Sequence, residues 1–167
     1  MYNKIKRGFT LTELMAVVII IALLAILSTG YYKRSVEQAR FSEGLMAASA
    51  IVEGVNRDYL EQKMNGIDEV SIPAINQLDI SLSGAGCTSD SCETQYFTVT
   101  VDSDTGVTTA TRKNGTYANA YSIQIQPHFA ASNRDQIACV GNSEDGQTFC
   151  ESMGYTACTE GVCVKPN

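Results

Sequence analysis

At 167 residues the chain is long enough for one domain of ordinary size, and 44 % hydrophobic content with only three Pro excludes a largely disordered polymer. A formal net charge of −6 excludes nucleic-acid binding by bulk electrostatics. The charge is unevenly placed: Lys4, Lys6 and Arg7 crowd the first seven residues, which hold no acid, and without residues 1–8 the chain keeps 9 basic against 18 acidic side chains. An acidic body behind a basic tip puts two segments in different surroundings.

Residues 9–29 carry one charge, Glu13, and residues 14–27 are unbroken apolar. About 20 apolar residues at roughly 1.5 Å each span a ~30 Å hydrocarbon core. Lys4, Lys6 and Arg7 hold the short N-terminus in the cytoplasm and the remainder is translocated, although Lys33 and Arg34 lie at the other end. A secretory signal peptide, cut near Ser28-Thr29-Gly30, is the competing reading, and a plain membrane anchor is another. Against the signal peptide stand the length of the apolar run and the acid at its leading edge.

The string Gly8-Phe9-Thr10-Leu11-Thr12-Glu13-Leu14 behind a short basic leader resembles the class III signal of type IV pilins and pseudopilins. The resemblance covers about the first 60 residues. It implies cleavage after Gly8 by a prepilin peptidase, N-methylation of the new N-terminal residue Phe9, and a role in subunit assembly for Glu13. The residues make independent sense of these roles. Gly8 lets the backbone lie extended in a protease cleft. A carboxylate costs about 2.5–3.5 kcal/mol at the centre of a membrane helix, less near the interface, so Glu13 calls for a partner; the α-amine of Phe9 on a neighbouring subunit is one. Many pilins carry Pro at the positions of Gly30 and Ala50, and neither is present here. Gly30 remains a weak point, because Gly costs about 1 kcal/mol in a helix interior relative to Ala.

Beyond the apolar run Phe41, Leu45, Ala48, Val52, Val55 and Tyr59 recur at spacings of three and four, one helical stripe. No Pro interrupts residues 9–62, and the first turn signal is Asn65-Gly66, so one continuous helix is predicted rather than a hairpin. Arg40, with Glu37 and Glu43 flanking it, reads as a group of solvated charges or filament contacts. Residues 63–95 read as a connecting loop with minor structure. Strands are predicted over 96–101, 107–112, 121–126 and 136–140, with turns between them. The predicted fold is α+β: a long N-terminal helix, transmembrane then amphipathic, on a three- or four-stranded antiparallel sheet with a disulfide-rich C-terminal region. In domains this gives a leader at 1–8, a membrane and filament-core half at 9–30, an amphipathic half at 31–62, the loop at 63–95 and the sheet with its disulfide-bounded tail at 96–167.

The six cysteines enter an oxidising space and read as three disulfides. Fifteen connectivities are open; nearest-neighbour pairing of Cys87 with Cys92, Cys139 with Cys150 and Cys158 with Cys163 is favoured because each closes a local loop. The Cys139–Cys150 bridge resembles the disulfide-bounded C-terminal region of many pilins. Zinc is disfavoured by spacing and compartment. Asp102, Asp104 and Glu144-Asp145-Gly146 hint at calcium without the spacing of a twelve-residue loop, and read as acidic turns. With His128 alone no catalytic triad or multi-His metal site forms within the chain; no enzyme activity, metal or cofactor is expected.

These readings point to a structural subunit of an extracellular type IV pilus. The alternatives are a pseudopilin of a type II secretion or DNA-uptake machine and a membrane-anchored ligand-binding domain. The implied partners are other copies and other pilins, the prepilin peptidase, an inner-membrane assembly platform and lipid before assembly. The implied location is the bacterial inner membrane, then the cell-surface pilus, or the periplasm for a pseudopilus.

Overall fold

The computed structural model describes residues 9–82 and 86–166. Gly8 and the basic residues ahead of it lie outside the described residues, as does Gly84. The chain divides into two compact units, residues 1–39 and 40–167, and helix α1 (Leu11–Met64) contributes to both.

In the second unit α1 buries the predicted stripe and more. Phe41, Ala48, Val52 and Val55 are buried, and Leu45 and Tyr59 are half-buried. Ala47 and Ile51 widen the stripe. Gly44 and Gly54 widen it further for a different reason: a Cβ at Gly44 would lie 2.7 Å from the Phe97 ring, and one at Gly54 2.9 Å from Ile80, so the missing side chains let neighbours reach the helix backbone. The helix ends in a Schellman motif. Gly66 takes φ 78°, the Ile67 N–H donates to the Gln62 carbonyl at 3.0 Å and the Gly66 N–H to the Lys63 carbonyl at 3.1 Å.

The sheet is antiparallel throughout. Its centre is the predicted four-strand meander: β3 (Phe97–Val101), β4 (Thr108–Arg112), β5 (Tyr121–Ile125) and β6 (Ile137–Gly141). Phe97, Val99, Ala110, Ile123 and Cys139 face the core with α1, while the alternate positions Thr98, Thr100 and Thr109 are half-buried or exposed on the other face. Among the described residues the sheet is larger than predicted, with eight strands in the order β1-β2-β3-β4-β5-β6-β8-β7. The additions are two short hairpins, β1 (Gly86–Cys87) with β2 (Ser91–Glu93) on one edge, and β7 (Ala157–Thr159) with β8 (Val162–Val164) on the other. Strands of two and three residues are too short for an alternating pattern to register in the sequence.

Disulfides join Cys87 to Cys92, Cys139 to Cys150 and Cys158 to Cys163. Two of them are cross-strand staples, since Cys87 lies opposite Cys92 and Cys158 opposite Cys163 in register. The β7–β8 turn has both central residues at positive φ, Glu160 at 50° and Gly161 at 84°, the type I′ geometry that matches strand twist. Both sheet edges therefore end in short, covalently closed hairpins, which leaves little free edge for another chain to pair with.

Helix α2 (Glu144–Ser152) is absent from the sequence-based reading. Glu144-Asp145-Gly146, weighed there as a calcium turn, is its first turn, where acids favour the positive end of the helix. Ser143 caps it, its Oγ accepting from the Gly146 N–H at 3.1 Å. Phe149 and Cys150 point inward, and Phe149 stacks on Tyr121 with ring centroids 4.6 Å apart. With Phe41 and Tyr155 this makes an aromatic core between α1, α2 and the sheet. The C-terminal region is therefore held by packing into the shared core as well as by its disulfides. Arg40, read as solvated, is half-buried with its guanidinium over the Tyr96 ring at 4.6 Å. Glu37, read as solvated with it, is instead buried.

Candidate functional site

The first unit contains the segment on which the sequence placed its functional residues. Phe9 is 84 % exposed, and α1 starts two residues later. Thr10 is its N-cap: the Thr10 carbonyl accepts the first helical bond, from the Leu14 N–H at 3.2 Å, and Thr10 Oγ1 accepts from the Glu13 N–H at 3.3 Å. Glu13 reaches back, its Oε2 accepting from the Thr10 N–H and from the Thr10 hydroxyl, each at 2.8 Å. This reciprocal arrangement is a capping box, built by Thr10-Leu11-Thr12-Glu13. It satisfies two of the amide groups that a helix start leaves without intrahelical partners. Both side-chain bonds land on one carboxylate oxygen; Oε1 takes no bond among the described residues.

The sequence reading assigned Glu13 a partner on another subunit and missed Thr10. The signal was present as Thr-x-x-Glu immediately ahead of the apolar run. Helix start and carboxylate orientation are thus set by the same side chain.

Behind the box the helix is apolar on every face. Each large apolar side chain described from Leu11 to Ile26 is at least half exposed, Val17 the least at 50 %. An all-round apolar helix is stable in water only when buried, so this length requires lipid or other helices around it. Thr29 Oγ1 donates to the Ala25 carbonyl at 2.8 Å, so this hydroxyl is satisfied within the helix. The backbone stays α-helical through Gly30.

The other residues singled out in the sequence lie in the second unit. Asp102 closes the β3–β4 turn, its Oδ1 accepting from the Thr105 hydroxyl and amide and from the Asp104 amide. Those bonds, the Thr105 hydroxyl first, hold its carboxyl below the usual value of 3.8. His128 Nδ1 lies 2.8 Å from an Asp135 carboxylate oxygen, an exposed pair within the β5–β6 connection. Among the described residues neither arrangement gathers three or more potential metal ligands.

A family model for the prokaryotic N-terminal methylation motif matches residues 3–29. That motif is the class III signal peptide of type IV pilins and pseudopilins. The matched residues run from the basic N-terminal stretch through Gly8 and Phe9, the capping box and the apolar helix. No solved structure matches the chain.

Proposed function

We propose that this chain is the precursor of a structural type IV pilus subunit, cleaved after Gly8 by a prepilin peptidase, N-methylated at Phe9 and assembled through its N-terminal helix. The observation that carries the reading is the methylation motif over residues 3–29 in register with an apolar helix exposed on all sides. Residues 1–8 act as the leader, 9–30 as membrane anchor and then filament core, and 31–62 as the base on which the sheet packs. The apolar helix holds the precursor in the inner membrane until an assembly platform transfers it to other copies.

Glu13 is the directional contact in this scheme. Lipid tails solvate Leu and Ile as well as a neighbouring helix does, so apolar packing alone gives docking subunits little register. A carboxylate already held by Thr10 through one oxygen, Oε2, pairs with the α-amine that cleavage exposes on Phe9 of the next subunit. Such charge-assisted bonds strengthen as lipid and protein exclude water.

The three disulfides favour a surface filament over a periplasmic pseudopilus, because a filament outside the cell meets shear and proteases without repair. Electron microscopy of sheared surface filaments, with mass spectrometry of their main component, tests this. Filaments composed of this chain are expected. Its complete absence from the sheared fraction while it accumulates in the envelope would favour the pseudopilus and overturn the pilus assignment.

A further inference from the structure

Tyr31, Tyr32, Lys33 and Arg34 follow the apolar run after Ser28-Thr29-Gly30, and all four side chains are exposed, Tyr31 at 79 % and Tyr32 at 71 %. We propose that these four residues form a headgroup collar, a ring that holds the apolar helix at a fixed depth by contacting the phosphate and carbonyl layer of the bilayer on all sides. The inference rests on the membrane-inserted reading above and adds a partner surface to it.

Three observations converge. The first is angular. Successive residues of an α-helix stand about 100° apart, so four consecutive positions encircle it. A surface meant for one neighbouring helix would repeat at three and four instead. A ring suits surroundings that are the same in every direction, which describes a single helix in lipid. The second is distance. Tyr31 lies 18 positions after Glu13, about 27 Å along a helix, close to the ~30 Å hydrocarbon thickness. With the carboxylate of Glu13 at one interface, the ring falls at the other.

The third is chemistry. Tyr has an apolar body and a polar tip and concentrates at membrane interfaces. Lys and Arg extend apolar stems along the acyl boundary and place their charge among phosphates. The collar also accounts for the position of Lys33 and Arg34 at the translocated end, where cations work against the orientation set by Lys4, Lys6 and Arg7. They serve there as ligands for anionic headgroups rather than as topology signals.

The chain contains no Trp, so a single introduced Trp is a unique depth reporter. The full-length protein is reconstituted into phosphatidylethanolamine vesicles containing a minor share of phosphatidylglycerol, with brominated acyl chains as quenchers. In the Tyr31→Trp variant quenching should be strongest with bromines near the carbonyls. In the Ile21→Trp variant it should be strongest with bromines near the methyl ends. When Tyr31→Leu, Tyr32→Leu, Lys33→Gln and Arg34→Gln are added to Ile21→Trp, the reporter should shift by about 3 Å, two residues of helix rise, as the span loses its stop.

Midplane quenching at position 31, or an unchanged depth at position 21 in the combined variant, would overturn the collar alone. Quenching at position 31 that vanishes as the protein-to-lipid ratio rises would assign the ring to a second copy and also overturn it. If neither reporter is quenched by any brominated lipid, the membrane-inserted reading fails and the collar with it.

Discussion

Replacing Glu13 separates the two tasks this side chain performs. In the structure its Oε2 accepts two bonds from Thr10 and completes the cap of α1; in the proposed function the same carboxylate binds the Phe9 amine of a neighbour. Glu13→Ala removes both. Glu13→Gln keeps an acceptor oxygen for the Thr10 amide, and Gln serves in a capping box as Glu does, but the charge is gone. The capping loss in the Ala variant is about 1 kcal/mol, small against a helix of 54 residues. Insertion gains in both variants, since an ionised acid opposes entry into lipid. Neither variant alters Gly8 or Phe9, so leader removal should proceed normally. The charged bond to the amine is worth about 1.5–3 kcal/mol, so each docking step should weaken roughly 10- to 100-fold. The assay compares cleaved protein in the membrane with filaments recovered by shearing. Both variants should show wild-type cleavage and at least a tenfold loss of filaments. Wild-type filament numbers from either variant would refute the charge pairing and leave Glu13 as a capping residue.

Three further outcomes follow from the second unit. Cys139 and Cys150 are both fully buried and tie β6 to α2 across 11 positions; replacing the pair with Ala should cost about 3 kcal/mol from loop entropy alone and lower the melting temperature of the detergent-solubilised chain by roughly 10 °C, more than removal of either hairpin staple does. Gly146→Ala should expel α2 from the sheet, because a Cβ there would overlap the Ala120 carbonyl oxygen of the chain beneath it; loss of near-ultraviolet circular dichroism from the Tyr121–Phe149 cluster would report it, and an unchanged spectrum would contradict the packing. The Asp102 carboxyl, held low by Thr105 and the Asp104 amide, should titrate by NMR below 3.8 and return toward that value in Thr105→Val. Because its folded value is depressed, its contribution to turn stability is complete above about pH 4 and is lost as pH falls through the lowered value.

The sequence disclosed most where a pattern was long enough to repeat. The stripe from Phe41 to Tyr59 marked the buried face of α1, and the alternating residues around Val99, Ala110 and Ile123 marked the central strands. Gly44 and Gly54 escaped because a glycine contributes nothing to an apolar count, although each admits a neighbour to the helix backbone. The edge strands β1, β2, β7 and β8 escaped because two or three residues cannot show a period. Helix α2 escaped because its first turn is acidic and its buried face, Gly146, Phe149 and Cys150, holds only two apolar side chains within nine residues; Ser143, two positions after Gly141, was the available signal for its start. At the candidate site the motif around Gly8, Phe9 and Glu13 drew attention to the acid, while the local partner Thr10 emerged only from geometry, since a capping box is visible as spacing but its bonds are not.

Filament assembly as proposed depends on processing at the N-terminus. Mass spectrometry of the chain purified from cell envelopes should find residues 1–8 missing and a first residue Phe9 carrying one added methyl group. A mature chain starting near Tyr31, where a signal peptidase would cut, or a chain that retains Met1 to Gly8, would contradict the proposed processing and the assembly built upon it.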